Sequence, residues 1–257
     1  MPRLAELRLV ALPGFPQVAD GDDLGRLTAD ALGRAGLELR SDDVLVFAQK
    51  VISKAEGRRV VLADVEPGAA ALDLAPVVQK DPRLVELVLR ESRRIVRSAK
   101  DVLIVEHRLG FIMANAGIDQ SNVADPAGGD FALLLPEDPD ASAARLRERL
   151  RVLTGSEPAI VISDSFGRPW RVGTVGVAIG CAGIAATLDL RGQGDIFGRP
   201  LRVTVVGHAD EIASAASLLM GQANEALPVV LVRGLAPHAP TQPAAALLRP
   251  PQQDLFR

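Results

Sequence analysis

One cysteine, Cys181, occurs among 257 residues, so the chain cannot close an internal disulfide. The amino-terminal stretch MPRLAELRLVALPGF lacks a basic segment followed by a long apolar core, so no secretory leader is expected and the cytoplasm is the expected compartment. No apolar run approaches the roughly 18 residues that a membrane-spanning helix needs, so no membrane partner is expected. Surplus positive charge is also missing. The net charge is -3, and lysine occurs only at positions 50, 54, 80 and 100. Proteins that grip nucleic acid need a basic surface to displace phosphate counterions, so nucleic acid is not an expected partner. The three histidines, 107, 208 and 238, are scattered and offer no zinc spacing with a single cysteine. No lysine follows a glycine, which removes the P-loop, and no GxSxG elbow is present. The nearest approach to a dinucleotide fingerprint, GQGDIFG (192 to 198), has the wrong spacing and reads as a turn. Cys181 itself lies in an apolar stretch, which raises a thiol pKa and leaves it inert.

What is present is a composition able to build a sizeable core: 48% hydrophobic and 24% charged residues, in one large domain or two small ones. Strands are expected at 7 to 12, 43 to 48, 102 to 106, 110 to 114, 201 to 206 and 229 to 232. QKVISKAEGR (49 to 58) reads as a continuation of the second strand towards Val60 and Val61. Helices are expected from Asp22 or Asp23 to about Gly36, over 140 to 153 with Gly155 just past the end, and over 210 to 220. The apolar positions 84, 85, 87, 88, 95 and 96, with Pro82 in the first turn, predict an amphipathic helix over 81 to 98. On that helix Arg90, Arg93, Arg94 and Arg97 would line one face. The small-residue stretch 173 to 187 fits either a buried strand or a tightly packed helix. Strands and helices alternate irregularly, which predicts an α+β fold with mixed sheets and interspersed helices.

The remaining chemistry is that of oxygen ligands. Two segments share a layout in which an apolar strand ends at an acidic residue followed by small polar residues and glycine: IMANAGIDQSN and IVISDSFGRPWR. Strand ends place side chains at the mouth of a site, so Asp119 and Asp164 could converge. Hard divalent cations take carboxylate, hydroxyl and amide oxygens, which Ser165 and Asn122 add to the two aspartates. Arg168 and Arg171 could fork onto phosphate or carboxylate, and Lys54 could contact phosphate as a point charge. The plain alternative is an Asx-turn after each strand, with solvated cations beside it.

Taken in order, GDDL (21 to 24), VISKAEGR (51 to 58), NAGIDQSNV (115 to 123), LLLPEDPDASA (133 to 143), SDSFGRPWRVG (163 to 173), ADEIASAASLLMGQ (209 to 222) and VVLVRGL (229 to 235) resemble the coenzyme F420:L-glutamate ligases. The closing RPPQQDLFR fits bacterial members. The resemblance implies an intertwined, two-lobed homodimer. The ligase domain would span 1 to 236, with lobes of roughly 1 to 150 and 151 to 236, and a Pro-rich tail would occupy 237 to 257. It implies a GTP-dependent ligase that joins L-glutamate to coenzyme F420-0, with two Mg²⁺ or Mn²⁺ ions per site and K⁺ as a candidate further cation. By match, the metal ligands would be Asp119, Asp164, Ser165 and Gln222; relatives can carry Glu at the last position. The nucleotide contacts would be Gly14, Phe15, Pro16, Gln17, Gln49, Lys50, Lys54, Asn122, Met220, Gly221, Gln222, Ala223, Asn224, Glu225, Ala226 and Leu227. Some relatives fuse a flavin-binding reductase domain after this region, and that activity is not expected here.

In the implied reaction the acceptor carboxylate attacks the γ-phosphate of GTP and the glutamate amine displaces the resulting acyl phosphate. Asp119, Asp164, Lys54 and Arg168 are the residues expected to act, with further γ-linked additions open. Three alternatives remain on sequence alone. They are a metal-dependent nucleotide phosphotransferase or hydrolase using the same aspartates, a ligase for another carboxylate acceptor, and a non-catalytic dimeric binding module.

Overall fold

The computed structural model describes residues 6–120, 129–235 and 240–254. In chain order the elements are β1 (Arg8–Ala11), α1 (Leu24–Arg34), β2 (Val44–Ala48), α2 (Gln49–Ala55), β3 (Arg59–Val61), α3 (Ala69–Val78), α4 (Pro82–Arg90), β4 (Ser92–Ala99), β5 (Val102–His107), β6 (Ile112–Ala114), β7 (Phe131–Leu133), α5 (Pro139–Thr154), β8 (Ala159–Arg168), β9 (Arg171–Ala182), β10 (Leu188–Asp189), β11 (Val205–Val206), α6 (His208–Met220) and β12 (Val229–Arg233).

One mixed sheet has the order β1-β12-β2-β8-β9. The β2–β8 pair is parallel and the other pairs are antiparallel. Side chains alternate along β2, so Leu45 and Phe47 join α1 and α5 on one face while Val44 and Val46 join α6 on the other. With both faces covered, the strand must be apolar throughout, which is why DVLVFA reads as a buried strand. A third apolar cluster gathers α3, α4 and β5 with Ala116, Ile118, Ala132 and Leu134, all between residues 62 and 134. Smaller sheets pair β4-β5-β6, β3-β7 and β10-β11. No helix of the described residues is long and apolar enough to cross a membrane.

Several expected elements differ. The helix expected over 81 to 98 stops at Arg90, and 92 to 99 form β4, antiparallel to β5. The β-branched pair Ile95 and Val96 suits a pleated strand better than a helix, so the four arginines do not share a helical face. Arg90 instead pairs with Glu86, and Arg93 and Arg94 pair with Glu106. QKVISKA is α2 rather than a strand extension, because Val51 and Ile52 find the first apolar cluster from a helix. The strand expected over 201 to 206 shrinks to β11. The 173 to 187 stretch resolves mostly as β9, whose glycines are used for close packing. A side chain at Gly176 would meet the backbone of Ala213 in α6, and one at Gly180 would meet the backbone of Pro139 in α5. α5 matches its expected span within a residue at each end, with Asp138 as its cap and Gly155 left-handed at φ 75°. Within the Pro-rich tail, the described residues 240–254 are anchored to the fold at Ala244, which is fully buried.

One carboxylate ties several of these elements together. Glu91, directly after α4, accepts from Arg58 Nη2 at 3.2 Å and Arg108 Nε at 3.0 Å, with His107 Nε2 at 3.5 Å. Nδ1 of the buried His107 accepts from the Leu109 N–H, which leaves its proton on Nε2, facing Glu91. Arg58 follows α2 and also donates to the Leu135 carbonyl. Burial of Glu91 raises its pKa, but His107, Arg108 and Arg58 overcome that and hold it at about 2. A depressed carboxyl pKa contributes stability above about 4.5 that fades as the pH falls towards 2. Glu91→Gln should therefore lower the Tm at pH 7, and the deficit should shrink on acidification across that window; thermal melts over the pH range check this.

Candidate active site

The two central strands deliver the site. The last β2–β8 pair is Ala48 with Ser163, so Lys50 and Asp164 emerge side by side where the parallel pairing ends. Carboxyl ends of parallel strands are the usual mouths of ligand sites in open sheets. β8 does not stop at Asp164 as the strand-end reading expected. It continues to Arg168 in a hairpin with β9, and a register shift between Ile162 and Ser163 falls just before the aspartate. Such bulges commonly re-aim a side chain.

Asp119 is set by a different device. Asn115, Ala116 and Gly117 are all left-handed, with φ 51°, 53° and 66°. Ala116 costs about 1–2 kcal/mol in that region, whereas Asn115 is of a type that enters it more readily. Asp119 then exchanges both backbone hydrogen bonds with Leu133, at 3.0 and 2.8 Å, which fixes its position. A side chain at Gly117 would meet Met113 Cε at 2.6 Å and the Leu135 methyls. The composition of NAGID is thus a backbone requirement as well as a polar one.

Two cavities flank these residues. The larger, of about 1040 Å³, lies between the β4–β6 sheet and the β8–β9 hairpin, with Val96, Ile104, Ile112 and Met113 as apolar wall. The smaller, of about 380 Å³, is lined by Phe15, Pro16 and Gln17, by Gln49, Lys50 and Lys54 of α2, and by 220 to 227 after α6. Lys50, Asp164, Ser165 and Gln222 line both. The structure therefore brings Asp119, Asp164, Ser165, Gln222, Arg168 and Lys50 to the larger cavity. Most of the residues matched for nucleotide lie around the smaller one. Gly14 lies outside its lining, and Asn122 lies outside the described residues. Gln49 is buried and its Oε1 accepts from Ser53.

Charge is concentrated where the cavities meet. Lys50 Nζ sits 2.6 Å from Asp119 Oδ2. Burial pushes Asp164 up to about 7; the Ser165 N–H at 2.8 Å opposes that, Asp119 adds to it, and Lys50 opposes it. Lys54 is lowered, first by burial and then by Lys50 and Arg59, against the pull of Asp119. Ser165 Oγ donates to Gln222 Oε1 at 2.8 Å. Arg168 has a buried Nη1 with no hydrogen-bond acceptor among the described residues.

The oxygens of Asp119, Asp164, Ser165 and Gln222 are the donor types of a hard divalent cation, and a half-buried carboxylate held up to about 7 is a group that added positive charge would ionise. They fit such an ion, although among the described residues no group of three or more His, Cys, Asp or Glu gathers. An ion there would have to displace Lys50 from Asp119 and part the Ser165–Gln222 bond. Sequence reasoning missed Arg97 and Asp254, both of which line the larger cavity. Arg97 was hidden by the helical misreading of 92 to 99, and nothing local marks Asp254.

The chain that builds this fold belongs to a known enzyme class. Residues 14–234 match the family model of F420-0:gamma-glutamyl ligase, so the chain belongs to that family. It is an acid–amino-acid ligase. It is similar to the coenzyme F420:L-glutamate ligase of Methanothermobacter thermautotrophicus, at 44% identity over 98% of this chain and 99% of the relative. It is 45% identical to the coenzyme F420:L-glutamate ligase of Methanopyrus kandleri, over 99% of each. That of Methanocaldococcus jannaschii is 40% identical over 85% of this chain and 86% of the relative.

Without metal, an Asp164 pKa raised from 3.8 to about 7 destabilises the fold increasingly as pH rises between those values. In the presence of chelator, Asp164→Asn should melt several degrees above the unsubstituted chain at pH 8, on the order of a few kcal/mol. The gap should close towards pH 4. Calorimetry across that range checks both the sign and the window.

Proposed function

We propose that the chain ligates L-glutamate to the terminal carboxylate of coenzyme F420-0 at the cost of GTP, through an acyl phosphate. The observation that carries this reading is the common wall of the two cavities. A nucleotide in the smaller one and a carboxylate acceptor in the larger one would meet at Lys50, Asp164, Ser165 and Gln222.

A carboxylate is a poor electrophile and amide formation from it is uphill in water. The acceptor carboxylate oxygen attacks the γ-phosphorus, the bond to the bridging oxygen breaks, and GDP leaves. The glutamate amine, having lost a proton, then attacks the acyl carbon and inorganic phosphate departs. Lys54, already depressed by burial and by neighbouring cations, is poised to hold phosphate charge. Lys50, freed from Asp119, would screen the approach of two anions. Arg168, which lines the larger cavity, would hold a substrate carboxylate. Asp119, Asp164, Ser165 and Gln222 would hold Mg²⁺ or Mn²⁺, whose charge stabilises the transferring phosphoryl group.

A homodimer accompanies this reading. Trp170 and Val172 at the hairpin tip are 87% and 102% exposed, and Ile196, Phe197 and Val203 are likewise bare. Apolar surface of that kind favours a partner. Trp170→Asp together with Val172→Asp should convert a dimer to monomer in light scattering without loss of fold by circular dichroism.

Incubation with GTP, Mn²⁺, L-glutamate and F420-0 should yield a glutamyl mass gain and one GDP per bond. Asp119→Asn should lower kcat by at least roughly a hundredfold, the size of losing one electrostatic stabiliser, with the melting curve retained. GTP hydrolysis at an equal rate without glutamate and acceptor would instead indicate a hydrolase.

A further inference from the structure

Among the described residues, Lys50 is the one cation that lines both cavities; Lys54, one turn on in α2, lines only the smaller. The backbone that carries the two lysines is held at both ends. Just before α2 the Ala48 N–H donates to the Pro228 carbonyl at 2.8 Å, Val51 and Ile52 are buried in the first apolar cluster, and beyond the helix Arg58 is held by Glu91. Asp119 is fixed as well, through its paired bonds to Leu133. The Lys50–Asp119 pair at 2.6 Å therefore joins two fixed backbones through one flexible side chain, and the partners keep 29% and 28% of their side-chain surface in solvent. Such a pair opens by rotation about the lysine's own bonds, with no movement of helix or sheet.

Opening has a consequence for charge. In the closed arrangement Lys50 matches Asp119 directly and acts on Asp164 through space. Turned towards the smaller cavity, its ammonium leaves behind two neighbouring carboxylates on anchored strands, with the oxygens of Ser165 and Gln222 beside them. The smaller cavity favours that turn only when an anion fills it, because Lys54 already places positive charge there and the two ammonium groups repel one another. Resting on the function proposed above, we infer that Lys50 is a positioning residue that couples nucleotide to divalent cation. It holds Asp119 as a tethered counter-ion while the smaller cavity is empty, and passes to phosphate oxygens when nucleotide enters, which frees Asp119 for the cation. A cation arriving without nucleotide competes with a charge the protein itself supplies.

The test uses the full chain with Mn²⁺ as probe and GDP as nucleotide, without acceptor or glutamate, and reads free Mn²⁺ by electron paramagnetic resonance. Without GDP, Lys50→Gln should bind Mn²⁺ roughly three- to tenfold more tightly than the unsubstituted chain, the scale of removing one partly exposed charge from beside a doubly charged ion. Lys50→Arg keeps the charge and should stay within about twofold of the unsubstituted chain. The factor by which saturating GDP tightens Mn²⁺ should shrink in Lys50→Gln by as much as the affinity without GDP grows. An affinity without GDP that is unchanged or weaker in Lys50→Gln overturns the inference, as does a GDP effect left undiminished by that change or a tightening that Lys50→Arg shares in full. Those results leave the ligase reading intact, since glutamyl mass gain on the unsubstituted chain judges it separately. An unsubstituted chain that forms no glutamyl product overturns the ligase reading, and the inference falls with it.

Discussion

Lys50 and Asp164, in the wall that two cavities share, and Asp119 beside them in the larger cavity set the terms for everything around them. Asp164 is half-buried and desolvated enough that its own charge is unwelcome, and Asp119 nearby makes it more so. Lys50 satisfies one of the two at 2.6 Å and reaches the other only through space. The cluster is thus one positive charge short of neutral when both carboxylates are ionised. A low-dielectric site in that condition attracts cations strongly, because Coulombic energies grow as water is excluded. The same shortage is what the proposed metal-assisted reaction between two anions would need at its centre.

The fold maintains this cluster by spending regular structure around it. Parallel pairing of β2 and β8 fixes Lys50 and Asp164 to neighbouring exits of one rigid sheet. Asp119 comes from the other side, positioned by a left-handed turn and by paired hydrogen bonds to Leu133. Backbone strain of that kind persists only where the surroundings over-determine it. Here the buried Ala116 and the tight contacts of Gly117 do so. Behind them, Glu91 clamps the ends of α2 and α4 through Arg58 and Arg108, so that the helix bearing Lys50 and Lys54 is tied to the sheet bearing Arg97.

Much of this was legible beforehand. The run DVLVFA, the helix over 140 to 153 with its glycine stop, and the helix after Asp210 were readable because burial on both faces or a continuous 3.6-residue period leaves a local mark. The polar strings NAGIDQSN and ISDSFG drew attention to Asp119 and Asp164. The family resemblance, carried by motifs in order along the chain, pointed to the residues that surround the smaller cavity. Where local preference and tertiary packing disagreed, reading failed: α2 holds Val51 and Ile52, which favour strands, and β4 follows a helix whose apolar spacing seemed to continue into it.

The sequence by itself determined which segments are apolar, where α1, α5 and α6 run to within a few residues, and that the chain offers a metal oxygen ligands rather than thiols or clustered imidazoles, since those properties reside in single residues and their spacing. Only the tertiary structure decided that Lys50 binds Asp119, that Arg97 shares a cavity with Arg168, and that Asp254 closes round to the same wall from the far end of the chain. These are contacts between residues tens to hundreds of positions apart, made by sheet order and a strap anchored at Gln242 and Ala244. No periodicity records such meetings, because they follow from how finished elements pack and not from the preferences of the residues that meet.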